Sequence, residues 1–73
     1  MLAGVKGSDI ARLSALEILC LRWAAHGRTA AEIARIEFID RREVEKYLML
    51  AQRALRGGTL EDAVSRATAL HLL

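Results

Sequence analysis

Four stretches of the chain carry apolar residues at helical spacing, separated by short polar or glycine-containing breaks. In Arg41 to Arg56, Val44, Leu48, Ala51 and Leu55 recur at steps of four, three and four, which aligns them on one helix face. Leu60, Ala63, Val64, Ala67 and Leu70 form a similar stripe in the stretch that follows. Ahead of both, Thr29 to Ile36 offers Ile33 and Ile36 for packing, with Ala30 and Ala34 small enough for a close helix crossing. Phe38 and Ile39 lie in the intervening turn and are expected to plug the core. The first stretch differs: Leu16, Ile18, Leu19, Cys20, Leu21 and Trp23 leave almost no polar side beyond Glu17 and Arg22. A helix that is apolar all round is a buried helix. In so small a domain, an outer helix is covered that completely only by the N-terminal arm or by another chain, which points to an oligomer or a partner.

Capping signals set the boundaries. Ser14 with Glu17, Thr29 with Glu32, Asp40 with Glu43 and Thr59 with Asp62 each pair a cap residue with an acid three positions on, the spacing of a capping box. Gly27 supplies a left-handed stop to the first helix, and Gly57-Gly58 breaks the third from the fourth. The prediction is an all-α, four-helix domain with helices over about 14–26, 30–36, 41–56 and 60–70. Residues 1–12, which hold Gly4, Gly7 and Ser8 without a clear period, read as an arm whose Leu2, Val5 and Ile10 could dock on a neighbour.

Composition narrows the function classes. Cys20 is the single cysteine of 73 residues, so no intramolecular disulfide forms and a reducing, cytoplasmic setting fits. Residues 1–10 hold one lysine and no long apolar run, unlike a signal peptide or membrane span. Eleven basic against nine acidic residues give a net charge of +2, which permits nucleic-acid binding without demanding it. No nucleophile–base pair, metal-ligand cluster or phosphate-cradling glycine loop is present, so neither catalysis, a cofactor nor a metal is expected.

A short helix, a tight turn and a longer amphipathic helix make the unit that usually lies in the DNA major groove, with the second helix reading bases. The residues also resemble one family. Leu13-Ser14 with Glu17, Leu21, Ala25 and Gly27, then Thr29 to Ala34, the turn at Phe38-Ile39, Val44, Leu48 and Leu55, and the ending from Ala63 to Leu73 are together similar to the LuxR/FixJ-type helix-turn-helix domain of bacterial transcription regulators. The promoter-binding domain of sigma factors is a second likeness, carried by Glu32-Ile33-Ala34 and the run Ala51 to Arg56; the ending favours the LuxR type.

The resemblance implies a third helix in the major groove, with Glu45, Lys46 and Met49 facing the bases and Arg41, Arg42 and Arg53 flanking them. Lys46 could donate to guanine and Glu45 accept from a cytosine amine. Arg28, Thr29, Arg42, Arg53 and Arg56 are candidate phosphate contacts. The same resemblance places a homodimer contact on the fourth helix, at Val64 and Ala67. Leu16, Leu19 and Trp23 form a candidate protein interface on the helix over 14–26. The plain alternative for the third helix is a solvated surface face.

Departures from the family pattern fall on the first helix, where Leu16, Ile18 and Leu19 replace residues that are usually charged, and in the turn, the third helix and the ending. Glu37 stands where leucine is common, Asp40 for a small hydroxyl residue, Glu43 for threonine, Tyr47 for histidine and His71 for glycine. Capping alone accounts for Asp40 and Glu43, although carboxylates at a helix N-terminus also repel an approaching phosphate. Cys20 is read as packing, His26 as a helix-end residue, His71 as unpartnered, and Tyr47 as packing. Trp23 is read as core or as an interface anchor. The expectation is a small, stand-alone regulator that binds duplex DNA as a dimer. The alternative is a helix-turn-helix protein that modulates another regulator or RNA polymerase through protein contacts.

Overall fold

The computed structural model describes residues 13–73; the arm expected over residues 1–12 lies outside the described residues. Among the described residues four helices follow one another: α1 (Ala15–Ala25), α2 (Ala30–Glu37), α3 (Arg41–Ala54) and α4 (Leu60–Ala69). There is no strand among the described residues. The turn between α2 and α3 makes these two a helix-turn-helix, and α3 packs against all three other helices.

Two of the four expected capping boxes close fully. The Glu17 amide donates to Ser14 Oγ at 3.1 Å and the Ser14 amide donates to Glu17 Oε1 at 3.0 Å. Thr29 and Glu32 repeat the pair at 3.2 and 2.9 Å. The other two depart from expectation. Asp40 accepts from the Arg42 amide at 2.8 Å, while Glu43 turns its carboxylate towards Lys46 at 3.6 Å. The short Asp side chain is satisfied two residues on, as in an Asx turn, and a cation one turn away draws Glu43 out of the box. Thr59 accepts from the Asp62 amide at 3.1 Å, but Asp62, one methylene shorter than glutamate, takes the Gly58 amide at 3.4 Å.

All four helices end by one device. An amide just past the helix donates to a carbonyl five residues back: Arg28 to Trp23, Ile39 to Ala34, Gly57 to Gln52 and Leu72 to Ala67. The residue before each donor is left-handed, with φ of 81° at Gly27, 57° at Phe38, 56° at Arg56 and 62° at His71. These are Schellman-type closures, and three of them lack the usual glycine. The expected stop at Gly57 therefore falls one residue earlier. Glycine is needed at position 57 for a different reason. A Cβ there would lie 2.7 Å from the Ala63 amide nitrogen, so only glycine lets α4 begin so close to the end of α3.

The core divides into two parts along α3. Leu21, Ala51, Leu55, Ala63 and Ala67 are buried together, and Leu13, Leu60, Val64, Leu72 and Leu73 pack around them. Cys20, Ile33 and Val44 form the second part, ringed by Trp23, Ala30, Ala34, Ile39 and Tyr47. Leu48 packs against both. Adjacent residues of α1, Cys20 and Leu21, thus serve different clusters, and this is how one helix supports both α2 and α4.

Three apolar expectations are corrected. Phe38 does not plug the core and is 95% exposed, because its left-handed backbone breaks the helical register and swings the side chain outward. Ile39 does pack, half-buried, beside Cys20, Ile33 and Val44. Ile36 and Leu70 are exposed at the ends of their stripes, where no neighbouring helix reaches them. On α1, Leu16 is exposed and Ile18, Leu19 and Trp23 are half-buried, so the described residues leave part of its apolar surface uncovered.

Candidate nucleic-acid interface

The exposed side of α3 repeats the rhythm of its buried side. Val44, Leu48, Ala51 and Leu55 face inward; Arg42, Lys46, Met49 and Arg53 recur at the same steps of four, three and four. Two residues separate the stripes, close to half a helical turn, so the second set lies opposite the first. All four of its members are exposed. One ridge therefore carries three cations around a single apolar side chain. Glu45 and Arg41 lie beside it, also exposed.

Ion pairs within single helices divide the candidate contacts. Arg41 Nε is 3.3 Å from Glu45 Oε2, Lys46 Nζ is 3.6 Å from Glu43 Oε1, and Arg28 Nη1 is 3.9 Å from Glu32 Oε2. Neither Arg42 nor Arg53 has an acidic partner among the described residues. Pairs as exposed as these contribute little, so an incoming phosphate can exchange them at small cost. Lys46 Nζ also lies 5.8 Å from the centre of the Tyr47 ring, which packs on the smaller core cluster as expected.

At the N-terminus of α2, Arg28 and Thr29 are exposed next to the free end of the helix dipole. The Thr29 hydroxyl accepts from the Glu32 amide. The bond from the Thr29 amide holds the Glu32 carboxyl below its ordinary value of 4.5; Arg28, the Thr29 hydroxyl and Arg35 add to this against some desolvation. Glu32 therefore stays ionised at neutral pH and keeps part of the anion-attracting end of α2 for itself. Exposed Arg35, which the sequence reading passed over, adds a cation on α2.

A further bond, not expected from the sequence, joins α1 and α2. Trp23 Nε1 donates to Glu37 Oε2 at 2.8 Å, tying α1 to the last residue of α2. Its only signal was a carboxylate at a position where the resemblance expects leucine. Burial, and secondarily the charge of Glu37, raise the Cys20 thiol above 9.0, in keeping with packing rather than redox chemistry. Beyond the Trp23 ring, Leu19, Arg22, Trp23 and His26 line a groove of about 260 Å³. Leu16 is exposed further along the same helix.

Of the two residues expected at a dimer contact, Val64 is half-buried and Ala67 fully buried. Ala67 is spent on the core because it sits where α4 meets Leu21, Ala51 and Leu55. The apolar surface at this end belongs instead to Leu70, which lines a groove of about 340 Å³ with Leu55, Arg66 and Ala69. Among the described residues, no three His, Cys, Asp or Glu side chains are placed to hold a metal, and no helix is long and apolar enough to cross a membrane.

No family model matches the chain, and no solved structure matches it. Curated sequences do. The chain is 41% identical over 61 residues, 84% of its length, to the HTH-type quorum sensing-dependent transcriptional regulator VjbR of Brucella ovis, and equally to that of Brucella abortus. It is 40% identical over 62 residues to the HTH-type quorum sensing-dependent transcriptional regulator RpaR of Rhodopseudomonas palustris. The matches cover 24% and 26% of those proteins, so the chain spans about a quarter of the length of the relatives it matches. A helix-turn-helix with a cationic ridge on its second helix is thus the structure of a chain similar to a short segment of quorum-sensing-dependent helix-turn-helix transcriptional regulators.

Proposed function

We propose that this chain is a DNA-binding unit of a bacterial transcription regulator, working in the cytoplasm and docking α3 in the major groove of duplex DNA as a dimer. The observation that carries this reading is the stripe of Arg42, Lys46, Met49 and Arg53 opposite the buried face of α3. Arg42 and Arg53 neutralise phosphates, Arg28 and Thr29 hold a further phosphate at the start of α2, and Lys46 and Met49 meet base edges. Arg41 and Glu45, paired with each other, form the border of the contact. The end of α4, with Leu70 and the groove beside it, supplies the contact between copies. Paired half-sites then raise the affinity that one small domain lacks. The test is binding to random and promoter duplexes over a range of salt. A protein held by phosphates loses affinity steeply as salt rises. Absence of binding at low salt sinks the reading.

A second reading is favoured by the groove on α1. Trp23 is fixed there by its bond to Glu37, and Leu19 and exposed Leu16 extend the apolar surface. Rigid aromatic anchors of this kind are common at the centres of protein interfaces. In this reading the chain acts on another regulator or on RNA polymerase through α1. Leu19→Glu would then abolish co-sedimentation with the partner while leaving DNA binding intact.

A further inference from the structure

The ridge on α3 contains one residue whose chemistry differs from its neighbours. Met49 is 53% exposed, between Lys46 one turn before and Arg53 one turn after. Its side chain is long, unbranched and unable to donate, and its thioether is at best a weak acceptor. Leu50, the next residue round the helix, is also exposed at 38%. The centre of the presented surface is therefore apolar, with cations at its ends.

We infer that Met49 selects thymine, through contact with its C5-methyl group, in the duplex that α3 binds; this rests on the DNA reading above. In the major groove, guanine, cytosine and adenine present hydrogen-bonding atoms and at most a C–H edge, whereas thymine carries a methyl. An apolar side chain pressed against any of the first three would strip water from polar atoms without replacing the bond. Against the thymine methyl both surfaces gain. Arg42 and Arg53 set the depth of the helix, and Met49 meets the base at that depth.

The experiment uses the full chain and a duplex selected from a random pool at low salt. Each thymine in the selected site is replaced in turn by deoxyuridine, which removes the methyl and leaves every hydrogen-bonding atom. One thymine per half-site should weaken binding by about fourfold on replacement, the worth of one buried methyl-sized group. Met49→Ala should bind the thymine duplex more weakly and lose the distinction between thymine and uracil at that position. Met49→Leu should retain the distinction. Met49 is exposed, so neither substitution threatens the fold. Uracil tolerated at every position, or a penalty unchanged in Met49→Ala, overturns the inference while leaving DNA binding standing. Failure to bind any duplex at low salt overturns both.

Discussion

The indole nitrogen of Trp23 donates to the Glu37 carboxylate at 2.8 Å, joining the C-terminal half of α1 to the end of α2 across a half-buried seam. Glu37 stands immediately before the left-handed turn that launches α3. The bond therefore helps to set the angle at which α3 leaves α2. Glu37→Ala strands the indole N–H in a partly dry site and should cost about 1–2 kcal/mol, while Glu37→Gln keeps an acceptor and should cost less. Urea unfolding followed by Trp23 fluorescence measures both. Equal stability of the alanine variant and the native chain would show that the bond contributes nothing.

Cys20 is fully buried, and its thiol is raised above 9.0 first by desolvation and then by Glu37. A raised folded value means that the folded state favours the neutral thiol. Its contribution to stability is full below the unfolded value and is lost as pH rises through the folded one. Between pH 7 and pH 8 a thiol reagent should label Cys20 only as fast as the domain opens, and urea should accelerate labelling to the rate of a free cysteine. Native-state labelling at the free rate would rule out this burial.

Phe38 and His71 hold left-handed backbone with φ of 57° and 62°. A side chain in that region costs roughly 1–2 kcal/mol relative to glycine, part of which glycine gives back as entropy of the unfolded chain. Phe38 is almost wholly exposed, so replacing it sacrifices little packing. Phe38→Gly and His71→Gly should each stabilise the domain by up to about 1 kcal/mol, a rise in Tm of roughly 4–8 °C for a domain of this size. A fall in Tm for Phe38→Gly would reveal packing for the ring.

Glu43 pairs with Lys46 at 3.6 Å and places a negative charge in the first turn of α3. Glu43→Gln should release Lys46, remove repulsion of phosphate and tighten DNA binding severalfold at low salt, with less gain at high salt. Arg42→Ala should weaken binding across all sequences and reduce the salt slope by about one. Fluorescence anisotropy at several salt concentrations separates the two. Tighter binding of Arg42→Ala than of the native chain would contradict the proposed docking face.

The number, order and rough limits of the helices were legible in the sequence, because helical periodicity and capping are local properties of the chain. Ser14 and Thr29 behave as their neighbours dictate, and both boxes close. The buried stripe of α3 and, by subtraction, its exposed ridge follow from the same periodicity. Asp40 and Glu43 show where local reasoning stops. The spacing of a box was present, but a cation at position 46 competed for the acid.

What the sequence alone determined about this protein is its all-helical character, the helix-turn-helix and the face of α3 turned to the core. Short-range forces along the chain control all of these. Tertiary structure alone decided that Phe38 points to solvent, that Ala67 is spent inside the domain, that Gly57 yields to the backbone of α4, and that Trp23 finds Glu37. Phe38 and Gly57 depend on the backbone of the turns beside them; the burial of Ala67 and the bond from Trp23 to Glu37 depend on segments far apart in sequence meeting at a given angle. That angle comes from packing two small clusters around Leu48, and no periodicity encodes it.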